Sequence, residues 1–132
     1  MRVLIADDEF TSRRILQKSM EKLGDCDLAC NGREAWEAFQ ASHREGRPYE
    51  LILLDIMMPE MDGGVVLKLI RGFEGLSGPG SRKPALIAMA TTAADKDSVL
   101  ESFRAQCDGY ITKPYTKESL LSNLRKFGIL GD

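Results

Sequence analysis

The residues best suited to chemistry lie at four places in the chain: the pair Asp7-Asp8, Asp55, Thr91 and Lys113. Three carboxylates brought together repel one another and raise each other's pKa unless a cation neutralises them. Oxygen-only donors select a hard ion, Mg²⁺ above all. A lysine adds a movable point charge and a threonine a hydroxyl donor, which together suit an oxyanion. Phosphoryl transfer depends mainly on such positioning and charge stabilisation, and a carboxylate held beside a metal can act as nucleophile. Singly, each residue has a plainer role. Asp7 or Asp8 would cap a helix starting near Phe10, Lys113 would be a solvated lysine and Thr91 a turn hydroxyl. The argument for a site rests on their convergence.

The elements that must bring them together are legible as alternating patterns. Val3 to Ala6 is an apolar run ending at Asp7-Asp8-Glu9, and Ile15, Leu16, Met20 and Leu23 then recur at helical spacing until Gly24. Cys26, Leu28 and Cys30 alternate as in a short strand, Asn31-Gly32 turns the chain, and Ala35, Trp36 and Phe39 resume helical spacing. Leu51 to Leu54 is apolar without alternation, as in a parallel strand covered on both faces, and ends at Asp55. A helix over Val65 to Ile70 follows. Gly72 to Pro84 reads as the longest loop, with flexibility as its plain role. Ala85 to Ala90 reads as a strand and Asp95 to Ala105 as a helix. Gly109 to Thr112 reads as the last strand, stopped at Lys113-Pro114, and a helix carrying Leu120, Leu121, Leu124 and Phe127 closes the chain. Five strand-helix repeats predict an α/β doubly wound sheet, whose sites form at the carboxyl ends of the strands. That one edge would hold Asp7, Asp8, Asp55, Thr91 and Lys113.

Composition narrows the class. With 132 residues, 43% of them hydrophobic, the chain suits one globular domain. A net charge of −2 with scattered basic residues argues against nucleic acid as an obligate partner. No apolar run approaches the ~20 residues of a membrane span. Three cysteines, Cys26, Cys30 and Cys107, without a signal sequence predict a reducing cytoplasm and free thiols serving as small buried hydrophobes. Gly75 and Gly80 have P-loop spacing, but Ser81-Arg82 stand where the phosphate-binding Lys-Ser/Thr belongs.

On these residues the sequence resembles the receiver domains of bacterial two-component response regulators, of the chemotaxis-regulator type. The matching elements are Asp7-Asp8, the stretch from Leu53 through Asp55 to Gly63, Thr91, and Gly109 to Pro114, and the resemblance covers the chain as a single domain, 1–132. It implies a five-stranded parallel sheet in the order 2-1-3-4-5 within a flavodoxin-like three-layer sandwich. It also implies phosphorylation of Asp55 by a sensor histidine kinase or histidine phosphotransfer protein, with Mg²⁺ held by Asp8, Asp55 and the Met57 carbonyl and, through water, by Asp7. Lys113 would pair with the phosphoryl group, and the peptide bond before Pro114 would be cis. Thr91 and Tyr110 would form a switch that alters a face from Asp95 to Phe127 for a downstream protein. Met57 and Ala93 offer no group to orient an attacking water, so the phosphorylated form would not be among the shortest-lived.

Counting from Pro84 could place Ala90 at the switch position, and counting back from Lys113 places Thr91 there; alternation turns Ala90 and Thr92 to the opposite face. A phosphorylation-independent interaction module is the main alternative, although such degenerate domains lack acidic or lysine positions that are intact here. A Mg²⁺-dependent phosphatase needs a second carboxylate two residues after its nucleophile, where Met57 stands. An FMN carrier of the same architecture would be repelled by Asp7-Asp8-Glu9 at its phosphate loop. Only one helix follows Lys113-Pro114, so the expected output is through a partner or a longer protein.

Overall fold

The computed structural model describes residues 1–76 and 83–131. Along the chain run β1 (Arg2–Ala6), α1 (Phe10–Met20), β2 (Asp25–Ala29), α2 (Gly32–Arg44), β3 (Leu51–Asp55), α3 (Gly63–Leu76), β4 (Leu86–Thr92), α4 (Lys96–Phe103), β5 (Gly109–Lys113) and α5 (Lys117–Lys126). All strand pairs are parallel and the order is β2-β1-β3-β4-β5. The predicted doubly wound sheet and its strand order are the observed ones.

Alternation within the strands divides the core in two. Leu4, Ile52, Leu54, Ile87 and Met89 pack with Phe39 of α2, Leu67 and Ile70 of α3 and Val99 of α4. Val3, Ile5, Leu51, Leu53, Ala88, Ala90 and Ile111 pack with Leu16 and Met20 of α1 and Leu120 and Leu124 of α5. β3 is buried along its whole length, as its unbroken apolar run requires. β2 lies at an edge and carries Asp25 and Asp27 outward; charge on an edge strand discourages pairing with another chain.

Several local expectations need correction. Gly72 and Gly75 lie inside α3, which continues to Leu76, although each glycine costs a helix ~1 kcal/mol. Tertiary bonds outweigh that cost: Arg71 donates to the carbonyls of Gln106 and Ala85, and the Glu74 carboxylate accepts from the Ala85 amide at 2.8 Å. The loop expected over Gly72 to Pro84 therefore does not begin at Gly72, and residues 77–82 of that stretch, Gly80 among them, fall outside the described residues. α1 stops at Met20, leaving Leu23 38% exposed beyond it. Neither Asp7 nor Asp8 caps α1; the N-cap is Glu9, without a side-chain cap bond. The cysteines are free, but Cys30 is exposed, one residue past β2, and Cys26 and Cys107 are only half-buried. None of the three is fully buried as expected: Cys26, on the edge strand β2, and Cys107, between α4 and β5, pack one side against the core, and Cys30 does not.

Candidate functional site

The two central strands end in step. Ala6 of β1 pairs with Leu54 of β3, so Asp7 and Asp55 follow side by side, and both continue the set of side chains facing α1 and α5. The next strand sets Ala90 level with Asp55, and Ile111 of β5 level with Ala90. Lys113 lies two residues beyond Ile111 and shares its phase. Its side chain passes back across β4, where Ala90 presents a single methyl, and its Nζ reaches Asp55 Oδ2 at 2.8 Å and Asp7 Oδ2 at 3.5 Å.

Asp7 is fully buried and Asp55 only 4% exposed, while Asp8 faces solvent. One oxygen from each of the three lies within 4.8 Å of the others. Asp7 Oδ1 accepts the Glu9 amide at 2.9 Å, and Oδ2 accepts the Tyr115 hydroxyl at 3.3 Å. Asp55 Oδ1 accepts the Met57 amide at 3.2 Å. Arg13 donates to the Asp7 carbonyl, tying α1 to the end of β1. Gly63 closes the floor: a Cβ there would run into the Asp55 carbonyl, while its amide bonds Ile56 O at 3.0 Å.

One ammonium facing three carboxylates leaves the cluster short of positive charge. Burial pushes the Asp55 carboxyl up to about 6, with the Asp7 charge adding to it, against the pull of Lys113 and the Met57 amide. Burial acts to lower the Lys113 ammonium, but the bond to Asp55 and the charges of Asp55 and Asp7 outweigh it and hold it above its ordinary value. Hard carboxylate oxygens, clustered and only partly neutralised, fit a divalent cation.

Thr91 is 4% exposed, in phase with Ile87 and Met89, and its hydroxyl meets the Thr92 carbonyl at 3.4 Å. Thr92 is exposed and exchanges bonds with Asp95, its hydroxyl donating to the carboxylate at 3.0 Å. Thr91, Thr92, Asp55, Met57, Ser98 and Lys113 border a cavity of about 370 Å³. Tyr110 lies further along the edge, its ring 4.9 Å from that of Phe127 and beneath Lys96. The Lys113-Pro114 bond is cis. The sequence analysis singles out neither Tyr115 nor Arg13, and Gly63 enters it only as the end of the motif around Asp55. The site had been read as ending at Lys113-Pro114, and no spacing rule links positions 7 and 115.

Comparison with known proteins agrees with this geometry. The family model described as "Response regulator receiver domain" matches residues 3–125, and the chain belongs to that family. It is 32% identical over 126 residues to the chemotaxis protein CheY1 of Helicobacter pylori, covering 94% of each chain. It is 26% identical to a segment of the osmosensing histidine protein kinase SLN1 of Saccharomyces cerevisiae; the match covers 96% of this chain but spans only 10% of that protein. Among solved structures it is similar, with a TM-score of 0.76 and 29% identity, to a co-crystal structure of the S. cerevisiae histidine phosphotransfer protein Ypd1 and the receiver domain of Ssk1, covering 100% of this chain and 93% of that one. The family is one of signalling switches in two-component systems. No helix among the described residues is long and apolar enough to cross a membrane.

Proposed function

We propose that the chain acts as one receiver unit, 1–132, that accepts a phosphoryl group on Asp55 from the phosphohistidine of a sensor kinase or phosphotransfer protein and then presents an altered face to a downstream protein. The observation that carries this reading is Lys113 Nζ bridging Asp55 and Asp7 beside the exposed Asp8. The similarity to a receiver domain crystallised with a phosphotransfer protein supports the class of donor.

In the transfer an Asp55 oxygen attacks phosphorus, the phosphorus–nitrogen bond of the donor breaks, and the imidazole leaves with the electron pair and takes up a proton. Asp8, Asp55 and the Met57 carbonyl would hold Mg²⁺, with Asp7 contributing through water. Bound there, Mg²⁺ supplies charge neutralisation for the carboxylates and the phosphoryl oxygens. Lys113 turns from the carboxylates to a phosphoryl oxygen. The Thr91 hydroxyl then moves toward the new anion and vacates space for Tyr110, which carries the change to the face between Asp95 and Phe127. Met57 is 73% exposed and Ala93 is also exposed, and neither bears a group that could orient water, which favours a phosphorylated state that is not short-lived.

The test is intact mass after exposure to acetyl phosphate and Mg²⁺. The wild-type chain should gain one phosphoryl group and Asp55→Asn none. Asp8→Ala should lose both Mg²⁺ binding, followed by calorimetry, and phosphorylation. Equal mass gain at equal rate in Asp55→Asn would remove Asp55 as acceptor, and unchanged Mg²⁺ affinity in Asp8→Ala would remove Asp8 as a ligand.

A further inference from the structure

Lys113 has two claims on it, and the structure shows what would take its place. Asp7 Oδ2 has two proton donors, Lys113 Nζ at 3.5 Å and the Tyr115 hydroxyl at 3.3 Å. Asp7 is fully buried, so bulk solvent does not replace the donor that Lys113 would withdraw, and beside any metal-held water the Tyr115 hydroxyl is the donor fixed by the fold. A buried carboxylate oxygen stripped of its donors is costly. Tyr115 is 6% exposed, and its ring is packed in the core beneath α1 and α5 with Leu16, Leu120 and Leu124. The phenol is therefore fixed in place, with Asp7 on one side and Ser12 as its other polar neighbour.

We propose that Tyr115 is a positioning residue that keeps the Asp7 carboxylate in place when Lys113 turns to the phosphoryl group. The inference rests on the phosphoacceptor reading above. It assigns a role to the hydroxyl of position 115 that a phenylalanine, identical in packing, could not fill. Tyr115 touches no reacting atom. It acts through Asp7, and its contribution should appear only when Lys113 is drawn away.

Two binding measurements on wild type and Tyr115→Phe separate this from a packing role. With Mg²⁺ alone, Lys113 remains between Asp7 and Asp55, and the two proteins should bind the ion within about twofold of each other. With Mg²⁺ and beryllium fluoride, a phosphoryl mimic that recruits the lysine, Tyr115→Phe should bind the mimic ~10-fold or more weakly, the range for a lost hydrogen bond to a charged group. Equal mimic affinity in the two proteins would overturn the proposal. So would an equal loss in both measurements, because the phenol would then organise Asp7 whether or not Lys113 is present. Asp55→Asn serves as the control: if it binds the mimic as wild type does, the phosphoacceptor reading itself has failed and this inference goes with it. If Asp55→Asn loses the mimic while Tyr115→Phe keeps it, only the role of Tyr115 has failed.

Discussion

The sheet carries a charge cluster at each end, and the two are built on opposite principles. At the amino ends of β4 and β5, Arg71 donates to Glu74 at 2.7 Å, to Asp108 at 3.0 Å and to the carbonyls of Ala85 and Gln106. The acids are held in turn: Asp108 accepts the Ile87 amide and Glu74 the Ala85 amide, each at 2.8 Å. The planar guanidinium fits several fixed acceptors at once and has no reason to move. At the carboxyl ends one flexible ammonium serves Asp7 and Asp55 beside a third carboxylate. The first cluster is closed by its own bonds and stitches α3 to β4 and the start of β5. The second is left open for a cation and an anion to complete. A polar network whose members are all paired holds a structure in one state, and a partly neutralised one stores a demand for ligand.

The contrast can be broken most forcefully by taking one charge from each end. Arg71→Ala should cost about 2–4 kcal/mol in urea unfolding, because it leaves the part-buried Glu74 and the more exposed Asp108 without their shared cation. Asp55→Asn should be neutral or stabilising by about 1 kcal/mol without metal, because it removes like-charge repulsion from Asp7. If Asp55→Asn destabilises as much as Arg71→Ala, the carboxyl-edge cluster is structural and the contrast is lost.

A smaller effect sharpens the comparison through pH. The Asp55 carboxyl is raised to about 6 from an ordinary 3.8, chiefly by burial. The folded metal-free protein therefore binds a proton there more tightly than the unfolded chain. The resulting stability is fully present below about 3.8 and is lost as pH rises through about 6. Between those limits wild type should lose roughly 2–3 kcal/mol relative to Asp55→Asn, by denaturant titration at several pH values. Saturating Mg²⁺ should flatten the difference. A difference independent of pH would show that Asp55 binds its proton no more tightly in the folded protein than in the unfolded chain.

The smallest expected effect concerns the wall of the open cluster. Thr91→Ala should still accept a phosphoryl group on Asp55 but lose most of the chemical-shift change around Tyr110 when beryllium fluoride is added. Thr92→Ala, which removes the two exposed bonds between its hydroxyl and Asp95, should keep it. Loss of the distal shifts in Thr92→Ala alone would transfer the switch role to Thr92.

The sequence by itself was enough to determine the five strand-helix repeats, the both-faces burial of β3 and the placing of Asp7, Asp55 and Lys113 at or just past strand ends. These follow from short-range rules: apolar periodicity, turn residues and the chirality of crossovers act within one or two elements. The tertiary structure decided what depends on register and on groups far apart in the chain. The helical state of Gly72 and Gly75 was settled by Arg71 and Glu74 reaching other elements, against local propensity. The meeting of Lys113 with Asp55 needed the in-step register of β3, β4 and β5, with a small residue, Ala90, lying between. The hydrogen bond from Tyr115 to Asp7 spans 108 residues of sequence. No local pattern encodes such a contact, because it exists only once the strands have aligned and α1 and α5 have closed over the same face.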